Sequence, residues 1–103
     1  MFSGGDYGEV GRWLGNFALS HGKRENLRVE AVIETDDAGQ RYGVRLRLGE
    51  RLAPPAGAEA LALSFPEVRD QRGSLAWCQA LAGRVRALAR QLLTDESTAR
   101  RSA

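Results

Sequence analysis

Two runs decide the fold: Leu27-Arg28-Val29-Glu30-Ala31-Val32-Ile33-Glu34-Thr35 and Arg41-Tyr42-Gly43-Val44-Arg45-Leu46-Arg47-Leu48-Gly49. In the first, Leu27, Val29, Ala31 and Ile33 alternate with Arg28, Glu30, Val32 and Glu34. In the second, Tyr42, Val44, Leu46 and Leu48 alternate with Arg41, Gly43, Arg45 and Arg47. A period of two sends successive side chains to opposite faces, so residues 26–35 and 41–49 are predicted as half-buried strands. Asp36-Asp37-Ala38-Gly39 is the turn between them, with Gly39 free to take positive φ. The apolar positions are odd in one strand and even in the other, so paired residue numbers must sum to an odd number. The predicted register sets Thr35 against Gln40, and therefore Glu34 against Arg41, Ile33 against Tyr42 and Glu30 against Arg45. A slip of two residues would keep the same faces.

Outward from this hairpin, Pro54-Pro55 makes Arg51 to Gly57 an extended loop. Residues 59–65 are predicted as a third strand, with Leu61, Leu63 and Phe65 inward and Pro66 ending it. Residues 6–20 read as a helix, because Tyr7, Val10, Leu14 and Phe17 form one apolar stripe edged by Trp13 and Ala18. Asp6 is its expected N-cap, with Glu9 three residues on, and Gly22 its expected left-handed C-terminal cap. Gly8, Gly11 and Gly15 each oppose that helix by roughly 0.8–1 kcal/mol relative to alanine, so it needs tertiary packing. Gly11 and Gly15 share a face that would admit another backbone at close range. Residues 74–93 read as a second helix capped by Ser74. Its seam is Cys78, Leu81, Val85, Leu88 and Leu92, flanked by Trp77, Ala82 and Ala89. Glu67 and Asp70 precede it, at the positive end of its dipole.

The predicted order is α-β-β-β-α. One apolar sheet face needs a cover, and two amphipathic helices supply it. The expected fold is α+β, a two-layer sandwich whose three-stranded antiparallel meander is covered on one face by two helices. This order is similar to that of double-stranded-RNA-binding domains, and Arg72-Gly73-Ser74 resembles the turn before that family's second helix. Leu75 and Ala76 stand where the family's lysines would be expected, so the resemblance implies a topology without the residues that grip RNA. Small secretion chaperones also place one helix before a short sheet and one after it, but those are usually acidic.

A length of 103 residues fits one domain, 1–103, with an ordered core over about 6–93 and a tail expected to fray over 94–103. With 43% apolar and 27% charged residues, the composition is that of a globular protein and not a disordered one. No apolar run approaches the ~20 residues of a membrane span. Met1-Phe2-Ser3-Gly4-Gly5-Asp6 lacks the basic-then-apolar pattern of a secretory signal. Cys78 is the only cysteine, which excludes an internal disulfide and suits a reducing compartment. A cytoplasmic location is the resulting expectation.

The chemistry-bearing residues are sparse. His21 is the only histidine and cannot make a usual zinc site alone; a structural or solvated role at the end of the first helix is expected. Cys78 lies on the apolar seam, where it reads as a small buried hydrophobe; its place in the first turn is the one feature that would lower its pKa. Glu30 and Glu34 share a sheet face, as paired acids for general acid–base work would, but facing arginines should hold both ionised. Asp36-Asp37 offers too few oxygens for calcium. The glycines from Gly4 to Gly15 lack the strand before and the Gly-Lys-Ser/Thr ending of a phosphate loop. No catalytic, metal-binding or cofactor-binding residue is assigned, and no cofactor is expected.

The net charge of +2 comes almost wholly from arginine, with Lys23 the only lysine. Coding bias explains that composition most simply, so any functional reading must rest on clustering. Arg28, Arg41, Arg45 and Arg47 populate the outer sheet face, and Arg84, Arg86 and Arg90 the second helix, with no acid four residues away inside it. Such clusters can neutralise phosphates, but the interleaved aromatics of single-strand binders are absent from those faces. Arg84, Arg86, Arg90, Arg45 and Arg47 are the candidate partner or phosphate contacts. Val32, Gly43, Ala60, Ala62 and Ser64 make a smooth patch beside them on which a second copy could pack. The expectation is a small non-enzymatic binding or accessory protein that self-associates or binds a protein partner, with no membrane association. A nucleic-acid-binding module using the helix arginines is the alternative, and an enzyme using Cys78 or the glutamate pair ranks last.

Overall fold

Asp6 is the N-cap of α1 (Tyr7–Glu25): its carboxylate accepts the Glu9 amide at 2.8 Å. The computed structural model describes residues 6–36, 38 and 40–102, with 95–102 as backbone alone. The buried stripe of α1 is Val10, Leu14, Ala18 and Gly22, with Tyr7, Trp13 and Phe17 half-buried on its flanks. Gly22 does not end the helix, which runs on to Glu25 with Asn26 as its C-cap. The glycine is there because the sheet comes too close for a side chain. A Cβ at Gly22 would stand 2.9 Å from Val29 Cγ1 and 3.4 Å from Leu46 Cδ1. At Gly11 it would meet Tyr42 Cε1 at 3.1 Å, and at Gly15 Ile33 Cγ1 at 3.3 Å. Sheet side chains, rather than another backbone, occupy the space these glycines leave.

β1 (Glu30–Asp36) and β2 (Arg41–Leu48) form the antiparallel hairpin with the predicted faces. Val29, Tyr42, Val44, Leu46 and Leu48 are buried, and Ala31 and Ile33 half-buried. The register differs from the predicted one by two residues: Glu30 faces Arg47, Val32 faces Arg45, Glu34 faces Gly43 and Asp36 faces Arg41. The closing pair is Asp36 with Arg41, one residue further along each strand than the predicted Thr35 with Gln40. Gln40 turns out of the strand at φ 49° and gives its carbonyl to the Phe65 amide at 2.8 Å. Gly39, expected to take the left-handed conformation, lies outside the described residues. Leu27 is the exception to the faces. It is 80% exposed and precedes β1, in a turn that Asn26 holds by accepting the Arg28 amide on Oδ1 at 2.8 Å.

Tyr7 locks α1 to this hairpin. Its hydroxyl accepts the Asp36 amide at 2.8 Å and donates to the Arg41 carbonyl at 2.6 Å. Its ring stacks on Tyr42 at 4.7 Å between centroids, and the Tyr42 hydroxyl donates to the Tyr7 carbonyl at 2.6 Å. Burial, with the neighbouring Tyr7 hydroxyl second, pushes the Tyr42 phenol up to about 12.

The third position of the sheet is shared by two strands where one was predicted. β3 (Arg51–Ala53) pairs with the last residues of β2, and β4 (Leu61–Ser64) with the first. Gly49, at φ 66°, makes the tight turn into β3 within what reads as a loop. Leu63 is buried and Leu61 half-buried, as predicted. Phe65 is buried too, but from a short helix, α2 (Phe65–Gln71), that the sequence reading lacked. Ser64 caps it by accepting the Glu67 amide at 3.2 Å. Pro66 fits its first turn, where no N–H is needed, so one residue both ends the strand and opens the helix. Glu67 and Asp70 therefore lie within α2.

Ser74 caps α3 (Leu75–Ser102), accepting the Trp77 amide at 3.3 Å. α3 runs through the stretch expected to fray, since no glycine or proline interrupts it from Thr94 to Ser102. Leu81, Ala82, Val85, Ala89 and Leu92 are its buried face. Trp13 stacks on Trp77 near the start of both long helices, and Glu25 meets Arg86 and Arg90 further along, so α1 and α3 lie side by side and parallel. Both pack on one face of the antiparallel sheet, and the fold is α+β as predicted. No helix among the described residues is long and apolar enough to cross a membrane.

Gly22→Ala is expected to destabilise the fold by about 1–3 kcal/mol through overpacking against Val29. Gly8→Ala should stabilise it by up to about 1 kcal/mol, because a Cβ there meets only Asp6 Oδ1 at an ordinary 3.5 Å. Urea unfolding compares the two, and equal effects would refute the role given to Gly22.

Candidate functional site

The arginines singled out from the sequence are placed apart, and most are engaged. Arg45 is the most buried of them, with its side chain 9% exposed. It lies on β2 between Val44, which faces Leu61, and Leu46, which faces Ala53, where the third sheet position is interrupted. Its Nε donates to Glu34 Oε2 at 2.9 Å, and its Nη1 donates to the Pro54 and Pro55 carbonyls at 3.0 and 2.7 Å. The loop that leaves the sheet at Pro54 is thus held over the outer face by Arg45. Further along, a Cβ on Gly43 would stand 2.9 Å from Ala60 Cβ, so the chain itself fills part of the smooth patch predicted there. Arg47 reaches Glu30 Oε1 through Nε and Nη2 at 3.1 and 2.6 Å. That contact holds the Glu30 carboxyl below its ordinary range, the opposite of what a general acid needs.

Arg86 and Arg90 have no acid four residues away along α3, but α1 brings one. Both Nε atoms donate to Glu25, at 3.1 and 3.2 Å. Arg90 and then Arg86 lower the Glu25 pKa. Arg84 is exposed, beside a groove of about 590 Å³ between Pro54, Leu61 and Leu88. Leu75, 73% exposed, presents an apolar surface where the RNA-binding resemblance would ask for a cation.

Cys78 is half-buried, and its thiol donates to the Arg72 carbonyl at 3.4 Å. Burial pushes its pKa up, so its place in the first turn of α3 does not activate it. His21 lies inside α1 against the Phe17 ring at 4.5 Å, not at the helix end. Burial lowers its pKa, with Arg24 and Arg86 adding to the effect, and its Nδ1 is buried without a hydrogen-bond partner. A neutral, packed imidazole is the result. Among the described residues no cluster of three or more histidine, cysteine or acidic side chains could hold a metal ion.

The feature that stands out lies at the other end of the sheet. β1 pairs with β2 on one side, and its second edge carries no strand among the described residues. Along that edge runs a groove of about 420 Å³. Gly8, Gly11 and Gly15 open its α1 wall, Ile33 and Thr35 form its sheet wall, and Arg12 stands on its rim. Ile33 faces inward yet is only half-buried, because no strand among the described residues lies beyond it. The three-four spacing of the glycines was the available signal; the groove itself depends on which strand lies at the edge, which spacing alone does not give. The chain matches no family model, no curated protein and no solved structure.

Two predictions follow from the pairs. Arg45→Met should destabilise the fold by about 2–4 kcal/mol, since two carbonyls and a carboxylate lose their donor; chemical denaturation measures it, and a neutral effect would show that the loop is held otherwise. Glu25 has a folded pKa below its ordinary 4.5, so its contribution is complete above that value and fades as pH falls through the lowered one. Stability followed below pH 4.5 should therefore fall more steeply in wild type than in Glu25→Gln, and parallel curves would contradict the pairing.

Proposed function

We propose that this protein is a non-enzymatic binding domain that takes an extended segment of a protein partner onto the open edge of β1. One observation carries the reading: a strand of seven residues, paired on one side only among the described residues, lies against a glycine-lined groove. An open edge offers a row of backbone donors and acceptors to another chain. An added strand gains main-chain hydrogen bonds there, and the pocket beside it selects alternate side chains. The perturbed side chains support a role without catalysis, because Glu25 and Glu30 are held ionised in ion pairs and Cys78 is held as the thiol.

Self-association along this edge is disfavoured by charge. Two copies of β1 paired antiparallel about Val32 would set Glu30 against Glu34; about Ile33 they would set Glu30 against Asp36. Like charges directly opposite destabilise a pair. The nucleic-acid alternative loses support because Arg45, Arg47, Arg86 and Arg90 are each engaged within the chain.

Panning a random-peptide display library against the folded protein should enrich strand-forming sequences. Their capture should be lost with Gly8→Leu, which fills the groove at a position where a side chain meets no core atom. Enrichment indifferent to that substitution would reject the reading, as would a stable dimer in light scattering that Gly8→Leu dissociates.

A further inference from the structure

We infer that the segment taken up by β1 alternates basic and apolar side chains, with its basic face on the outer, solvent side of the sheet; this rests on the strand-addition reading above. The two sides of the open edge differ in charge. On the outer side β1 presents Glu30 and Glu34, each more than half exposed. Each uses a single carboxylate oxygen on its arginine in β2, Oε1 for Glu30 and Oε2 for Glu34. The other oxygen of each makes no hydrogen bond within the described chain; that of Glu34 leans over Gly43 of β2, 3.2 Å from where a Cβ there would stand, so only a turn of its side chain brings it to the open edge. On the inner side the edge presents the apolar groove, with the cationic Arg12 at its rim.

Side chains of an added strand alternate between these two environments. Outward positions lie beside the Glu30 and Glu34 side chains, which are bound to arginine on the β2 side. A lysine or arginine there would complete a cation–carboxylate–cation row across three strands. Inward positions enter the groove that Gly8, Gly11 and Gly15 line beside Ile33, where an aliphatic side chain buries apolar surface. A slip of one residue would turn the basic positions toward Arg12 and the apolar ones toward water, so charge and hydrophobicity select the same face. The chain contains a precedent in its own β2, where Arg45 and Arg47 alternate with Val44, Leu46 and Leu48 and pair with β1 from the other side.

Three capped synthetic peptides test this: one alternating lysine with valine, one alternating glutamate with valine, and a scrambled lysine–valine peptide. Binding is read by fluorescence anisotropy, and its location by amide chemical shifts of the full-length protein. The lysine–valine peptide should bind at least about tenfold more tightly than either other peptide. Its shifts should fall on β1 and the first half of α1, and raised salt should weaken it. The double variant Glu30→Gln and Glu34→Gln should erase the preference for lysine over glutamate, while Gly8→Leu should abolish binding of both. If the glutamate–valine peptide binds β1 as well or better in wild type, the inference about the partner is overturned and strand addition stands. If none of the peptides shifts β1, or shifts appear only on α3 or the outer sheet face, strand addition itself is overturned. Should the double variant fail to fold, the salt dependence and the comparison of peptides on wild type still decide.

Discussion

How closely α1 can approach the sheet is set by atoms that are missing. At Gly22 the nearest atom of Val29 stands only 2.9 Å from where a methyl group would sit, and Gly11 and Gly15 leave only slightly more room to Tyr42 and Ile33. Each glycine weakens the isolated helix by roughly 0.8–1 kcal/mol, which dispersion and burial against the sheet must offset. The close seating positions both ends of the helix. At one end Tyr7 reaches across to bridge the last pair of the hairpin. At the other, Glu25 arrives between two arginines of α3. The groove beside β1 follows from the same pattern, since Gly8 continues the line of small positions along its wall.

β2 is the strand on which everything else is registered. It pairs with β1 on one side and with both β3 and β4 on the other. Between those two short strands the backbone leaves the sheet, and the guanidinium of Arg45 supplies donors to the departing carbonyls. The same side chain holds Glu34 on β1. The open edge is therefore connected through one arginine to the loop on the far side of the sheet, and a residue with the look of a surface cation is part of the frame.

Much of this architecture was legible in the sequence, for reasons that can be named. Alternation over Val29–Ile33 and Tyr42–Leu48 gave the faces correctly, because burial on one side of a sheet leaves a strong period-two signal. The same pattern is blind to a slip of two residues, and the pairing of Glu30 with Arg47 was missed for that reason. Ser64-Phe65-Pro66-Glu67 carries a cap and a first-turn proline, yet the helix it opens is shorter than any period can reveal. Arg86 and Arg90 read as unpaired because their acid lies far away in sequence, on α1. The candidate site was half legible: the glycine spacing was visible, whereas the edge position of β1 is a property of the assembled sheet.

The two tryptophans occupy one seam. Trp13 of α1 and Trp77 of α3 stack at 6.3 Å, with Phe17 against the first and the Glu67 carboxylate accepting the indole N–H of the second. They are the only tryptophans in the chain. Ultraviolet emission from this protein is accordingly a native gauge of whether its two long helices are mated.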